Sequence, residues 1–84
     1  ITTQAQAYFY QALQQAKNGD LATAMTHYDK ALELKPDVCE YWFNRGLTLF
    51  YLGNFTEAIA SYDKVLEIKP DFYKGWYNKG AALS

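Results

Sequence analysis

Cysteine, histidine, proline and long apolar runs are all scarce in this chain. One cysteine among 84 residues, Cys39, excludes an internal disulfide and suits a reducing compartment. The single histidine, His27, has no cysteine, serine or carboxylate at a spacing that would build a catalytic triad or a metal site, so neither hydrolytic nor zinc chemistry is indicated. The longest apolar stretch runs only from Leu49 to Leu52, far short of the ~20 residues that cross a bilayer. The N-terminus also lacks the basic-then-apolar order of a signal peptide. Eight basic and nine acidic residues are interspersed to a net charge of -1, which leaves no basic stripe to track a nucleic-acid backbone. The five glycines form no phosphate-binding loop. These absences predict a non-catalytic module with no cofactor, no metal, no membrane span and no nucleic-acid partner, cytoplasmic by default.

What the chain does have is a period. Residues 5–38 written above residues 39–72 match without a gap at Phe9/Phe43, Leu13/Leu47, Gly19/Gly53, Ala24/Ala58, Tyr28/Tyr62, Asp29/Asp63 and Lys30/Lys64, and on through Pro36/Pro70 and Asp37/Asp71. A third copy begins at Tyr73 and stops at Ser84, with Trp76, Asn78, Gly80 and Leu83 one period after Trp42, Asn44, Gly46 and Leu49. The expected organisation of residues 1–84 is therefore a single module: repeat 1 at 5–38, repeat 2 at 39–72 and the first helix of repeat 3 at 73–84. A chain that begins with Ile and ends inside a repeat is expected to be a fragment of a larger protein.

Within each repeat, apolar residues recur at helical spacing and are punctuated twice. Ala5, Tyr8, Ala12 and Ala16 lead to Asn18-Gly19, where glycine can close a helix in the left-handed conformation. Asp20 is placed to cap a second helix carrying Ala24, Tyr28, Ala31 and Leu32, which ends before Lys35-Pro36. Repeat 2 has the same grammar, from Trp42 to Gly53-Asn54 and from Ala58 to Lys69-Pro70. Five helices are predicted, near residues 3–18, 21–34, 38–52, 55–68 and 72–83, packed antiparallel because every connection is short. Small residues at Ala12, Ala24, Gly46, Ala58 and Gly80 should let helix backbones approach. Large aromatics at Tyr8, Tyr28, Trp42, Tyr62 and Trp76 should fill the space beside those contacts. On this reading Trp42→Ala costs ~3–5 kcal/mol, as core aromatics do.

These residues resemble the tetratricopeptide repeat (TPR) family, whose period is 34 residues. The pattern of aromatic, small, small, aromatic, small, proline falls on Tyr8, Ala12, Ala24, Tyr28, Ala31 and Pro36, then on Trp42, Gly46, Ala58, Tyr62, Val65 and Pro70. Gln11 and Arg45 stand where the family has leucine, Gln15 replaces an aromatic, and Val65 is bulkier than the usual alanine. The resemblance implies an all-α fold, a right-handed α-solenoid of antiparallel helix pairs with about two and a half TPR units. It also implies a hollow lined by the first helix of each pair.

In that family the hollow takes a peptide of a partner protein, and the matching positions here include Gln6, Phe9, Tyr10, Leu13, Phe43, Asn44, Leu47, Phe50, Tyr51, Lys74, Tyr77 and Asn78. Several of these aromatics are not required by the packing pattern, which favours a binding surface. Asn44 and Asn78 lie one repeat apart. A carboxamide offers a donor and an acceptor, so the pair either holds an extended peptide backbone, like the asparagine ladder of some tetratricopeptide proteins, or is bonded to a neighbouring helix or water. Tyr10 interrupts the row in repeat 1. A carboxylate clamp for acidic C-terminal tails is a lesser alternative, since Asn44 and Lys74 match it while Phe9, Leu13 and Asn78 depart from it. The remaining alternative is a structural spacer, or a homo-oligomer formed through exposed terminal helices. His27 is expected to be a solvated helix-face residue, and Cys39 a packing residue. Asp29-Lys30 and Asp63-Lys64, with Glu33 and Glu67, are expected to be surface charge pairs along single helices.

Overall fold

In the computed structural model, which describes residues 3–84, local signals start and stop each helix. The helices are α1 Gln4–Lys17, α2 Leu21–Leu34, α3 Cys39–Tyr51, α4 Phe55–Ile68 and α5 Tyr73–Leu83. Thr3 caps α1 reciprocally: Gln6 N–H donates to Thr3 Oγ1 at 3.2 Å, and Thr3 N–H donates to Gln6 Oε1 at 2.9 Å. Asp20 accepts from Thr23 N–H at 3.4 Å at the head of α2. Asn54 occupies the same place before α4 without a side-chain bond. The turns after α1 and α3 need positive φ, met by Gly19 at 87° and Gly53 at 82°.

Each short turn folds a helix back on its predecessor, giving antiparallel pairs α1/α2 and α3/α4 and a fifth helix against α4. The odd-numbered helices touch in sequence, α1 with α3 and α3 with α5, whereas α2 and α4 do not touch. The odd row is thus the closed, inner side of the curved stack, and the even row is splayed outward.

The first core joins Phe9, Ala12, Ala24, Tyr28, Ala31, Leu32 and Tyr41, and the second joins Leu49, Ala58 and Tyr62. Gly46 shows why small residues are needed at the crossing: a Cβ there would stand 2.5 Å from Tyr62 Cε1. Two expectations about packing are corrected. Gly80, at the same place in repeat 3, has nothing within 4 Å of a would-be Cβ, so no backbone approaches it, and Trp76 is 54% exposed. No described helix occupies the place beside α5 that α4 takes against α3. Trp42 is only half-buried, which lowers the cost expected for its removal.

A third correction concerns charge. Asp29 and Asp63 do not pair with their neighbouring lysines; each reaches into the next repeat, Asp29 to Arg45 Nε and Asp63 to Lys79 Nζ, both at 2.8 Å. Arg45 also donates to the buried Ser61 hydroxyl at 2.7 Å, which ties three helices together. Its guanidinium lies over Trp42, as the Lys79 ammonium lies over Trp76, each 5.7 Å from the ring centroid. Of the expected single-helix pairs, Lys64 with Glu67 is present at 3.5 Å. The arginine that departs from the family's leucine therefore serves as the joint between repeats.

Candidate functional site

The inner row presents the predicted site residues to different degrees. Phe9 is buried, its ring 4.6 Å from that of Tyr41, and it belongs chiefly to the core. Leu13, Phe43, Leu47 and Phe50 are half-buried, and Leu13, Phe43 and Phe50 pack against the two cores. Phe43 packs edge-on to Phe72 at 5.3 Å, and Phe50 edge-on to Phe55 at 5.3 Å. Tyr10, Tyr51, Lys74 and Tyr77 are exposed, Tyr51 and Tyr77 by about three quarters of their surface. The predicted residues thus divide into half-buried aliphatic and aromatic ones and freely projecting tyrosines.

Asn44 and Asn78 adopt one common pose. Asn44 Nδ2 donates to Glu40 C=O at 2.9 Å and Asn78 Nδ2 to Lys74 C=O at 2.7 Å, in both cases one turn back on their own helix. Each carboxamide is bonded to its own helix rather than to a neighbouring one. Each keeps Oδ1 and its second N–H uncommitted to any described protein group, in an orientation fixed by its own helix. Thr48, one turn on, likewise donates back to Asn44 C=O at 3.0 Å.

Below Tyr10, between the N-terminal ends of α1 and α3, lies a recess of about 340 Å³ whose lining includes Phe9, Tyr10, Val38 and Tyr41, with Lys35 and Glu40 on its rim. Burial pushes the Tyr41 phenol up from its ordinary value, and the neighbouring Tyr10 and Glu40 add to the shift. Lys35, Val38 and Tyr41 are absent from the sequence-predicted site. The signal that could have drawn attention to them is a break in the repeat: one period after Val38 and Tyr41 the chain has Phe72 and Gly75.

The two residues with reactive side chains are engaged elsewhere. His27 is half-buried rather than solvated, with Nδ1 2.7 Å from Gln15 Oε1 and its ring stacked on Tyr8 at 5.9 Å. Gln15, which replaces an aromatic of the family, supplies its partner. Cys39 is buried with Sγ 3.9 Å from Val65 C=O. Burial pushes its thiol up; Lys69 opposes the shift and Glu40 adds to it, which leaves a poor nucleophile. Among the described residues no group of three His, Cys, Asp or Glu could hold a metal, and no helix is long and apolar enough to cross a membrane.

Comparison with known proteins agrees with this geometry. The family model described as tetratricopeptide repeat matches residues 39–72, and a second, described as TPR repeat, matches residues 5–53. An uncharacterized protein of Methanocaldococcus jannaschii is 35% identical over 49 residues, 58% of this chain and 57% of that protein. A crystal structure of MamA superposes with a TM-score of 0.93 at 26% identity, covering 98% of this chain and 48% of that one. MamA from Desulfovibrio magneticus superposes at 0.92 with 24% identity, covering 99% and 48%. The chain thus spans 57% of the Methanocaldococcus protein and just under half of each MamA chain. The folds they share are typical of non-catalytic protein-interaction scaffolds.

Proposed function

We propose, from the premise that this chain belongs to the tetratricopeptide repeat family, that its inner face holds an extended peptide segment of a partner protein. The observation that carries this reading is the matched pose of Asn44 and Asn78, one repeat apart, each bonded to its own helix and each presenting a carbonyl oxygen and an N–H. A peptide backbone offers N–H and C=O groups at regular intervals, so two such carboxamides can hold it without reading its side chains. The exposed Tyr10, Tyr51 and Tyr77 supply contact area at low entropic cost, and Lys74 adds a cation beside the second asparagine. No step of chemistry is assigned: the module binds, and its specificity comes from the side chains around the ladder.

The test is a pull-down from cell extract with the wild-type chain beside an Asn44→Ala/Lys74→Ala/Asn78→Ala variant, once circular dichroism shows that both are folded. Partners retained by the wild type and lost by the variant support the peptide groove. Equal recovery by both sinks it.

A second reading, self-association as a solenoid segment, is favoured by the apolar face of α5, where Trp76 and Leu83 are exposed around the open Gly80. Sedimentation would then show a concentration-dependent mass in the micromolar range. A monomer throughout would count against it.

A further inference from the structure

One face of α5 lies open at positions that are covered in α3. There Cys39, Gly46 and Leu49 are buried against α4, with Cys39 Sγ 3.9 Å from Val65 C=O and a would-be Cβ on Gly46 2.5 Å from Tyr62 Cε1. One period later Tyr73 is 74% exposed, Trp76 54%, Leu83 66% and Tyr77, at the edge of the face, 76%, while Gly80 borders open space. At ~200 Å² for a whole aromatic side chain these residues offer ~500 Å² per chain, so two such faces together bury the ~1,000 Å² that a specific interface needs. The face is large enough to be used.

Size and charge narrow the occupant. A helix laid on α5 as α4 lies on α3 would bring its backbone to the ring of Tyr73, where α1 and α3 have the small Ala5 and Cys39. The face also carries no charge: α5 has no acidic residue, Lys79 is paired with Asp63, and Lys74 falls on the inner row. An uncharged face gives a charged segment nothing to read. It is complementary to itself instead. About a two-fold axis level with Asn78, an antiparallel copy sets position 76 opposite 80 and position 73 opposite 83, so that each Trp76 covers the other copy's Gly80 and each Tyr73 meets the other's Leu83. Large lies beside small at the crossing, as Tyr62 lies on Gly46. Antiparallel order also keeps the two Lys74 positions ~12 Å apart along the helix axis, where a parallel pair would set them side by side.

We propose that α5 is the interface of a closed two-fold dimer of this chain, paired antiparallel through Tyr73, Trp76, Gly80 and Leu83. The proposal rests on the self-association reading above and gives it a register and a stoichiometry: an isologous contact uses up the same patch on both copies and stops at two. Asn78 is two residues from both Trp76 and Gly80, and so on the far side of the helix. Pairing therefore leaves the hollow of each copy free, and the dimer presents two grooves.

The test is sedimentation equilibrium of the chain from about 1 μM to about 1 mM, the range in which an interface of this size dissociates. The mass should rise to that of two copies and go no further. Gly80→Leu, whose side chain enters open space in a single copy, should weaken pairing by at least about tenfold while the circular dichroism spectrum of the dilute protein is kept. Leu83→Lys, at an exposed side chain, should do the same and serves as a second variant. For the register, Tyr73→Cys and Leu83→Cys chains, each also carrying Cys39→Ala, should form a disulfide faster when mixed than either does alone. A dimer indifferent to Gly80→Leu and Leu83→Lys, or Tyr73→Cys chains that link to one another as fast as to the mixed partner, would overturn this pairing and leave self-association standing. A mass that climbs past two copies would do so too. A monomer up to about 1 mM would end both readings and leave the face to a helix of another protein.

Discussion

The junction between α2 and α3 and the one between α4 and α5 are built from the same repeat, yet only one is complete. Both keep the tryptophan indole donating to the carbonyl of the preceding proline, Trp42 to Pro36 at 2.7 Å and Trp76 to Pro70 at 2.8 Å. Both keep the aspartate of the earlier repeat on a cation of the later one. They part at the buried tyrosines. The Tyr28 phenol has the Thr48 side chain within hydrogen-bonding reach, whereas one period later Ala82 takes the place of Thr48 and the buried Tyr62 hydroxyl has no partner among the described residues. An ion pair at the rim of a joint tolerates either arginine or lysine, because solvent covers any imperfection. A hydroxyl inside the joint depends on one residue, because nothing else can reach it.

Substitutions at equivalent places should separate the two junctions. The largest difference is expected at the helix crossing. Gly46→Leu drives a branched side chain into the Tyr62 ring and should cost about 3 kcal/mol or more, read by urea denaturation. Gly80→Leu enters open space, removes a helix glycine, and should be neutral or stabilising by up to ~1 kcal/mol. Equal losses at both sites would mean that the second junction is as closed as the first.

Tryptophan removal should follow the same order with a smaller gap. Trp42→Ala should cost about 2–3 kcal/mol, below the full value for a core aromatic because the ring is half-buried, and Trp76→Ala about 1 kcal/mol. Thermal denaturation monitored by circular dichroism would rank them. A reversed ranking would break the view that α3 is held from two sides and α5 from one.

The tyrosines give a finer test. Tyr28→Phe should lose about 1 kcal/mol through the partner it abandons, while Tyr62→Phe should be close to neutral or gain stability, and Ala82→Thr should restore a partner to the orphan hydroxyl. Burial, with a lesser contribution from the Tyr51 phenol, pushes the Tyr62 phenol from 10.0 up to about 12. An acid whose folded value is raised favours its neutral form in the fold. Its contribution is intact below pH 10.0 and is lost as the pH rises toward about 12. Alkaline unfolding in that window should be shallower in Tyr62→Phe, and an unchanged profile would remove Tyr62 as its source.

The smallest contrast is electrostatic. Lys79→Met loses an exposed-edge pair worth ~0–1 kcal/mol, while Arg45→Met also leaves the buried Ser61 hydroxyl without its partner and should cost about 1–2 kcal/mol more. Only the pair losses should shrink in high salt.

Much of this was legible in advance because it depends on residues close in sequence. Helix periodicity, the Asp20 cap and the two glycine turns are decided within one or two turns of chain, and each helix ended within a residue or so of its predicted place. The choice of Asp29 and Asp63 for partners in the next repeat was not legible. A lysine beside an aspartate in sequence points around the helix away from it, whereas Arg45 and Lys79 are brought to it by the way the repeats stack. His27 was misjudged for a related reason: its partners Gln15 and Tyr8 lie on another helix.

By itself the sequence determined the period, the five helices, the small-beside-large packing code and the placement of Asn44 and Asn78 at one repeated position. The tertiary structure alone decided that both carboxamides share a pose, that Arg45 joins three helices and that Tyr62 is left without a partner among the described residues. The physical reason is range. Backbone hydrogen bonds and apolar spacing are local, while a cavity, an orphan hydroxyl or an ion pair between repeats exists only once helices cross at a definite distance and the side chains on both sides are known.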